Sequence, residues 1–162
     1  MTLVPVATTR TVMTQIVLPT HTNNHGTAFG GQIAAWVDIC AAVSAQRFCR
    51  GAVVTASMDQ LHFMRPVRRG MVVELSAQVN CAWGSSMEVG VRVVTEDPHT
   101  GARERCCSAY LTFVALDESG RKRSIPGLDA GDDAHDRRRV RQAGLRRQAR
   151  LQMRDLLRNS EA

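Results

Sequence analysis

Long apolar runs are missing from this 162-residue chain: no window approaches the roughly 18 to 20 uninterrupted apolar residues that a membrane span needs. The opening stretch, MTLVPVATTR, has no basic segment leading into an apolar one, so neither a spanning protein nor a secreted one is expected. Paired cysteines are missing too. The five present (Cys40, Cys49, Cys81, Cys106, Cys107) form an odd set with no CxxC spacing and no histidine at ligand spacing, which argues against a disulfide framework and a zinc site. A reducing cytoplasm is the simplest home. Aromatic residues are only 4% of the chain, and neither an RNA-binding aromatic motif nor a helix-turn-helix pattern occurs. GxGxxG, Walker and GxSxG motifs are also absent, which removes support for nucleotide cradling of those kinds and for a serine-hydrolase triad. What remains is a globular composition, 44% apolar and 22% charged, in a length that suits one domain with a real core.

The net charge of +6 is unevenly spread. Residues 137–158 hold nine arginines against the single acid Asp155, whereas residues 1–136 are within one charge of neutrality. Between them GLDAGDDAH (127–135) reads as a linker, so one domain is expected over 1–128 and a linker with a basic tail over 129–162. In the tail Val140, Leu145, Ala149, Met153, Leu156 and Leu157 recur at helical spacing. That pattern predicts an amphipathic helix with its arginines on the wet face, docked on its own domain or on a partner subunit. Without a supporting motif, binding of nucleic acid or membrane by the arginines is not expected.

Residues 29–49, FGGQIAAWVDICAAVSAQRFC, are apolar on nearly every side, with Asp38 the only charge before Arg47. This predicts a buried helix roughly 30 Å long. Strand-forming segments follow at 52–64, 71–83, 87–96 and 102–117, separated by turn-forming residues, with an earlier strand over 11–18. One long helix followed by four consecutive strands predicts an α+β fold in which an antiparallel sheet covers the helix. A doubly wound parallel sheet is excluded by helix count, and the edge strands of such a sheet predict a homo-oligomer.

Asp38 is out of place among Ile33, Trp36, Val37, Ile39 and Cys40. An ionised carboxylate there loses several kcal/mol of hydration unless a polar partner meets it, and its pKa rises if none does. Just upstream, TNNHGTAFGG (22–31) is a polar, glycine-bearing loop running into the helix N-terminus. The N–H groups of Gly30 and Gly31 at the positive end of the helix dipole can hold a developing oxyanion. Asn23 offers an amide to orient that oxygen or a water, and Asp38, two turns into the helix, offers a general base or nucleophile. His25 reads as a solvated loop residue and His62 as a structural strand residue. Cys106 and Cys107, adjacent on a strand, are expected to point to opposite faces. Gly84, Ser85 and Ser86 form a small polar turn able to receive a phosphate or an amide chain, or to serve as a plain hairpin turn.

Four ordered segments, TNNHGTAFGGQIAAWVD, VTASMDQLHFMRPVRRG, GSSMEVGVRVVTE and AYLTFVALDESGRKRSIP, resemble the hotdog-fold acyl-CoA thioesterases, in particular the branch of brain acyl-CoA hydrolase and its small bacterial relatives. The resemblance implies a hotdog fold with the sheet wrapped around one central helix, a double-hotdog dimer assembled into a hexamer, and hydrolysis of acyl-CoA to free acid and coenzyme A without a metal or other cofactor. It matches the family's helix aspartate to Asp38 and its loop asparagine to Asn23, supplied by opposite chains. Joined to the reading of the residues, it sets the thioester carbonyl against the Gly31 N–H, with Arg68, Arg69, Lys122 and Arg123 as candidates for the coenzyme A phosphates. Two rivals share the fold's chemistry. One is an acyl-thioester dehydratase, which would need a histidine and a carboxylate together; the other is a non-catalytic acyl-CoA sensor with a DNA-binding tail.

Overall fold

The computed structural model describes residues 2–160. In chain order its elements are β1 (Leu3–Pro5), β2 (Thr11–Ile16), α1 (Gly30–Cys49), β3 (Val53–Asp59), β4 (Val72–Trp83), β5 (Ser86–Glu96), β6 (Arg103–Ala115), β7 (Gly127–Asp129) and α2 (Ala134–Ser160). Five strands form one antiparallel sheet in the order β2-β4-β5-β6-β3, and this sheet lies across α1. The fold is therefore the expected α+β arrangement. Alternate residues of β4, β5 and β6, such as Leu75, Val89, Val91 and Leu111, meet Ile33, Val37, Ala41 and Phe48 of α1 in a continuous buried cluster. Each large side chain so buried stabilises the fold by about 1.5–3 kcal/mol, which is why one helix suffices to organise the sheet.

Four expectations need correction. The segment from 127 is not all linker: β7 pairs in parallel with β1 and ties the chain start to the residues after β6. Second, α1 is buried on one side only. Gly31, Ala35 and Gln46 are exposed, Asp38 and Ala42 are half-buried, and Ile39 is 54% exposed, because the sheet covers one face and leaves the other open in the protomer. Third, β3 ends at Asp59; Gln60 has a left-handed φ of 57°, and residues 60–70 leave the sheet, carrying His62 to the surface.

The fourth correction concerns α2, which docks on the outer face of the sheet, as one of the two expected dockings has it, but with its polarity inverted. Four of its arginines, Arg139, Arg146, Arg147 and Arg150, are half-buried, and of these Arg146 makes a two-pronged ion pair with Glu88 (2.6 and 3.1 Å) and Arg150 meets Asp59 at 2.9 Å. Leu145, Met153, Leu156 and Leu157 are 57–65% exposed instead. The reason lies on the sheet: its outer face presents acids and amides, including Glu88 (0% exposed) and Asn80 (1%), and guanidinium groups satisfy them where leucines cannot. At the start of α2, Asp133 accepts hydrogen bonds from the His135 and Asp136 N–H groups, which hold its carboxyl below the usual range. Asp136 is bound by Arg10 and Gln78. Among the described residues no helix is long and apolar enough to cross a membrane.

Candidate active site

The loop before α1 is built around Asn23. Its Oδ1 accepts from the N–H groups of His25 (2.9 Å) and Thr27 (3.3 Å), its amide lies 3.0 Å from Thr27 Oγ1, and its N–H donates to Thr27 O at 2.9 Å. A bridge between Thr22 and Ala28 closes the loop, and the His21 ring packs edge-on against Trp36, fixing the loop to the helix. His25 is exposed, as expected.

The chain then enters α1 with no side-chain cap. The first helical amides to find partners are those of Gln32 and Ile33, which donate to Phe29 O. Among the described residues the Gly30 and Gly31 N–H groups have no backbone acceptor, and a Cβ at Gly31 would meet nothing within 4 Å. Two unpaired donors at the positive end of a 20-residue helix, open to approach, form an anion-stabilising corner. Beside it is an apolar recess of about 290 Å³ lined by Gly30, Ile33, Phe63, Met64 and Val67. Ala28 N–H donates to Val67 O, and Arg69 N–H to Gly26 O, so Arg68 and Arg69 are held next to the loop with exposed side chains.

Asp38 lies two turns further along, half-buried on the open face of α1. It does have a partner: Thr55 Oγ1 donates to its Oδ1 at 2.7 Å. Thr55 sits at a bulge in β3, where the register against β6 slips between Thr55 and Ser57. Sequence reasoning missed Thr55, since nothing distinguishes one hydroxyl in the run VVTASMD.

The remaining candidates fall at the other end of the molecule. Gly84, in a left-handed turn (φ 58°), accepts at its carbonyl from Ile125 N–H, and Ser85 O accepts from Ala115 N–H. Lys122 bridges to Leu116. Arg123 is half-buried with its guanidinium on Cys49 O (2.7 Å) and Leu116 O (3.2 Å), so it caps the C-terminal end of α1. A helix of 20 residues is about 30 Å long. Asn23, Gly30, Gly31, Arg68 and Arg69 gather at one end of it, and Gly84, Ser85, Ser86, Lys122 and Arg123 at the other.

The thiols offer no competing nucleophile. Burial pushes Cys40 up to about 11 and raises Cys49 and Cys81 as well. Cys106 and Cys107 do not point to opposite faces: a bulge makes Cys106 the extra residue in β6, and both side chains are fully buried. Ser57 lies 3.4 Å from Asp59, which is already paired with Arg150.

A family model described as the thioesterase superfamily matches residues 25–102. The uncharacterized acyl-CoA thioester hydrolase YkhA of Bacillus subtilis is 44% identical over 117 residues, which are 72% of this chain and 68% of that protein. The chain belongs to the thioesterase superfamily. Mouse acyl-coenzyme A thioesterase 11 is 41% identical over 140 residues, but this chain spans only 24% of its length. Among solved structures, an apo hexameric acyl-CoA thioesterase superposes on this superfamily member with a TM-score of 0.90 at 36% identity, covering 94% of this chain and 97% of that one. The acyl-CoA hydrolase of Staphylococcus aureus, solved with butyryl-coenzyme A, coenzyme A and coenzyme A disulfide, gives 0.86 at 31% identity over 99% and 100%. Alanine variants of the S. aureus enzyme have also been solved, at an asparagine, at an aspartate 15 residues further on and at a threonine 17 beyond that.

Proposed function

We propose that the protein hydrolyses acyl-CoA thioesters to a free acid and coenzyme A. The observation that carries the reading is the Thr55–Asp38 hydrogen bond on the open face of α1, on the same helix as the two unpaired glycine amides. Asn23, Asp38 and Thr55 are separated by the same 15- and 17-residue intervals as the three positions varied in the S. aureus hydrolase. The thioester carbonyl oxygen sits against the Gly30 and Gly31 N–H groups, which stabilise the charge it gains as the carbonyl is attacked. Asp38 of the opposite protomer, oriented by its own Thr55, takes the proton of the attacking water, since about 10 Å of helix separates Asp38 from the glycine amides of its own chain, and Asn23 orients either that water or the carbonyl. Coenzyme A leaves as a thiolate, a far weaker base than an alkoxide, so no strong acid is needed.

Geometry within one protomer argues that the site is shared. Arg68 and Arg69 and the set Gly84, Ser85, Ser86 and Lys122 can act on one substrate only if a second protomer places its opposite end alongside. Coenzyme A phosphates would then meet Arg68, Arg69 and Lys122, while Arg123 serves the helix end. The open face of α1 and the exposed apolar residues Val12 and Ile16 of edge strand β2 fit a homo-oligomer, and a double-hotdog dimer built into a hexamer is the assembly we infer. Free thiols at all five cysteines fit the reducing cytoplasm. A thiol-release assay over a panel of acyl-CoAs tests class and substrate range together. Asp38→Asn should cut turnover by roughly 10²- to 10⁴-fold and Asn23→Ala strongly, with the fold retained. Wild-type rates in Asp38→Asn would remove the proposal.

A further inference from the structure

On the outer face of the sheet, opposite α1, a recess of about 180 Å³ opens between α2 and strands β5 and β6. Gly90, Ser108 and Tyr110 form its floor, and it is ringed by Arg92 of β5, Arg105 of β6, and Arg138, Arg139 and Arg146 of α2. Specific features of the backbone gather these cations. The extra residue Cys106 shifts the register so that Arg105 stands opposite Val94 and shares the outer face with Arg92, whose cross-strand partner is Ser108. Gly90 keeps the floor low: a Cβ there would lie 2.6 Å from the Asn80 amide, which is hydrogen-bonded to Glu88. The inverted docking of α2 then brings Arg139 and Arg146, both half-buried, over the floor, with the exposed Arg92, Arg105 and Arg138 at its rim.

The charges in the recess are not balanced by acids. Arg146 is matched to Glu88. Other acids nearby are engaged elsewhere: Asp136 with Arg10, Glu74 and Glu96 with Arg103, and Glu104 with Arg65. Among the described residues Arg92, Arg105, Arg138 and Arg139 make no salt bridge. Arg139 is half-buried, with its guanidinium on His135 Nδ1 (3.3 Å) and Asn80 Oδ1 (3.5 Å); burial lowers its pKa, although the charges of Asp136 and Tyr110 oppose the shift.

We propose that this recess binds a small anion bearing two or more phosphoryl groups, held by Arg92, Arg105, Arg138 and Arg139. Planar guanidinium forks match phosphate oxygens two at a time, and four of them exceed what a single monovalent anion requires. The volume is below the roughly 300 Å³ at which pockets enclose a whole organic ligand, so the phosphoryl head enters and any remainder stays in solvent. Because the arginines converge on a hollow rather than running as a stripe, a compact ligand fits better than a nucleic-acid backbone. The bound anion joins β5 and β6 to the first half of α2. The site is independent of the thioesterase reading, since it lies across the sheet from Asp38.

Calorimetric titration of the full chain with sodium pyrophosphate at constant ionic strength, without acyl-CoA, tests this. Wild type should bind one pyrophosphate per protomer saturably, and the double variant Arg105→Gln/Arg138→Gln should bind roughly tenfold or more weakly. Arg121→Gln/Arg158→Gln, which removes the same charge outside the recess, should bind as wild type does, and so should Asp38→Asn. No saturable binding by wild type, including the case in which carboxylates of a neighbouring copy fill the recess, would overturn the proposal. Equal weakening in the two double variants would overturn it as well.

Discussion

Thr55 is worth more than its plain chemistry suggests, because its hydroxyl is the hydrogen bond that aims Asp38. A hydrogen bond to a charged group contributes about 1.5–3 kcal/mol, so Thr55→Ala should lower kcat by roughly ten- to a hundredfold while Thr55→Ser retains most of it. Steady-state kinetics beside a melting curve check this, and a loss of Tm equal in both variants would mean that Thr55 merely packs. Asp38 was legible in the sequence as a charge in an apolar stretch, and Gly30 and Gly31 as a helix entry without a cap. Thr55 was not, because its role depends on a one-residue bulge in β3 that leaves no mark in composition. Glu88 was equally hidden: in MEVGVRVV it alternates as an outward residue, and only the return of α2 buries it.

At the scale of elements, α1 and the strands β4, β5 and β6 were legible from apolar density and turn residues, while α2 was legible as a helix but not in its orientation. Periodicity shows which side of a helix is apolar; it does not show which side docks. Here Glu88 and Asp59 on the docking surface take Arg146 and Arg150. Arg146→Met, which keeps α2 over the sheet, should leave Glu88 buried without its cation, at a cost of about 3–5 kcal/mol, a large part of the 5–15 kcal/mol that holds a domain together. Removing only 151–162 keeps Arg139 and Arg146 in place and should cost far less. Urea unfolding of Arg146→Met and of the 151–162 truncation, read as midpoint shifts, distinguishes this from a tail that contributes nothing.

For the whole molecule, the two clusters at opposite ends of α1 make a prediction about assembly. If Asn23 and Asp38 from different chains complete one site, subunits carrying Asn23→Ala mixed with subunits carrying Asp38→Asn should regain roughly a quarter of wild-type activity, since half of randomly formed dimers are mixed and each has one intact site. Refolding the two inactive proteins together and assaying thiol release measures it; no recovery would place both residues in one chain. The pairing of β1 with β7 had no signature in the sequence, because three-residue strands carry too little pattern. The odd residue at Cys106 has a consequence for how such a chain can diverge. Loss of that one codon would only iron out the kink, leaving Arg105 opposite Val94 and Arg103 opposite Glu96, whereas loss of a codon elsewhere in β6 would reverse the parity of the residues beyond it. Single losses in β6 should therefore survive at this position, while elsewhere along the strand length changes should survive only in twos.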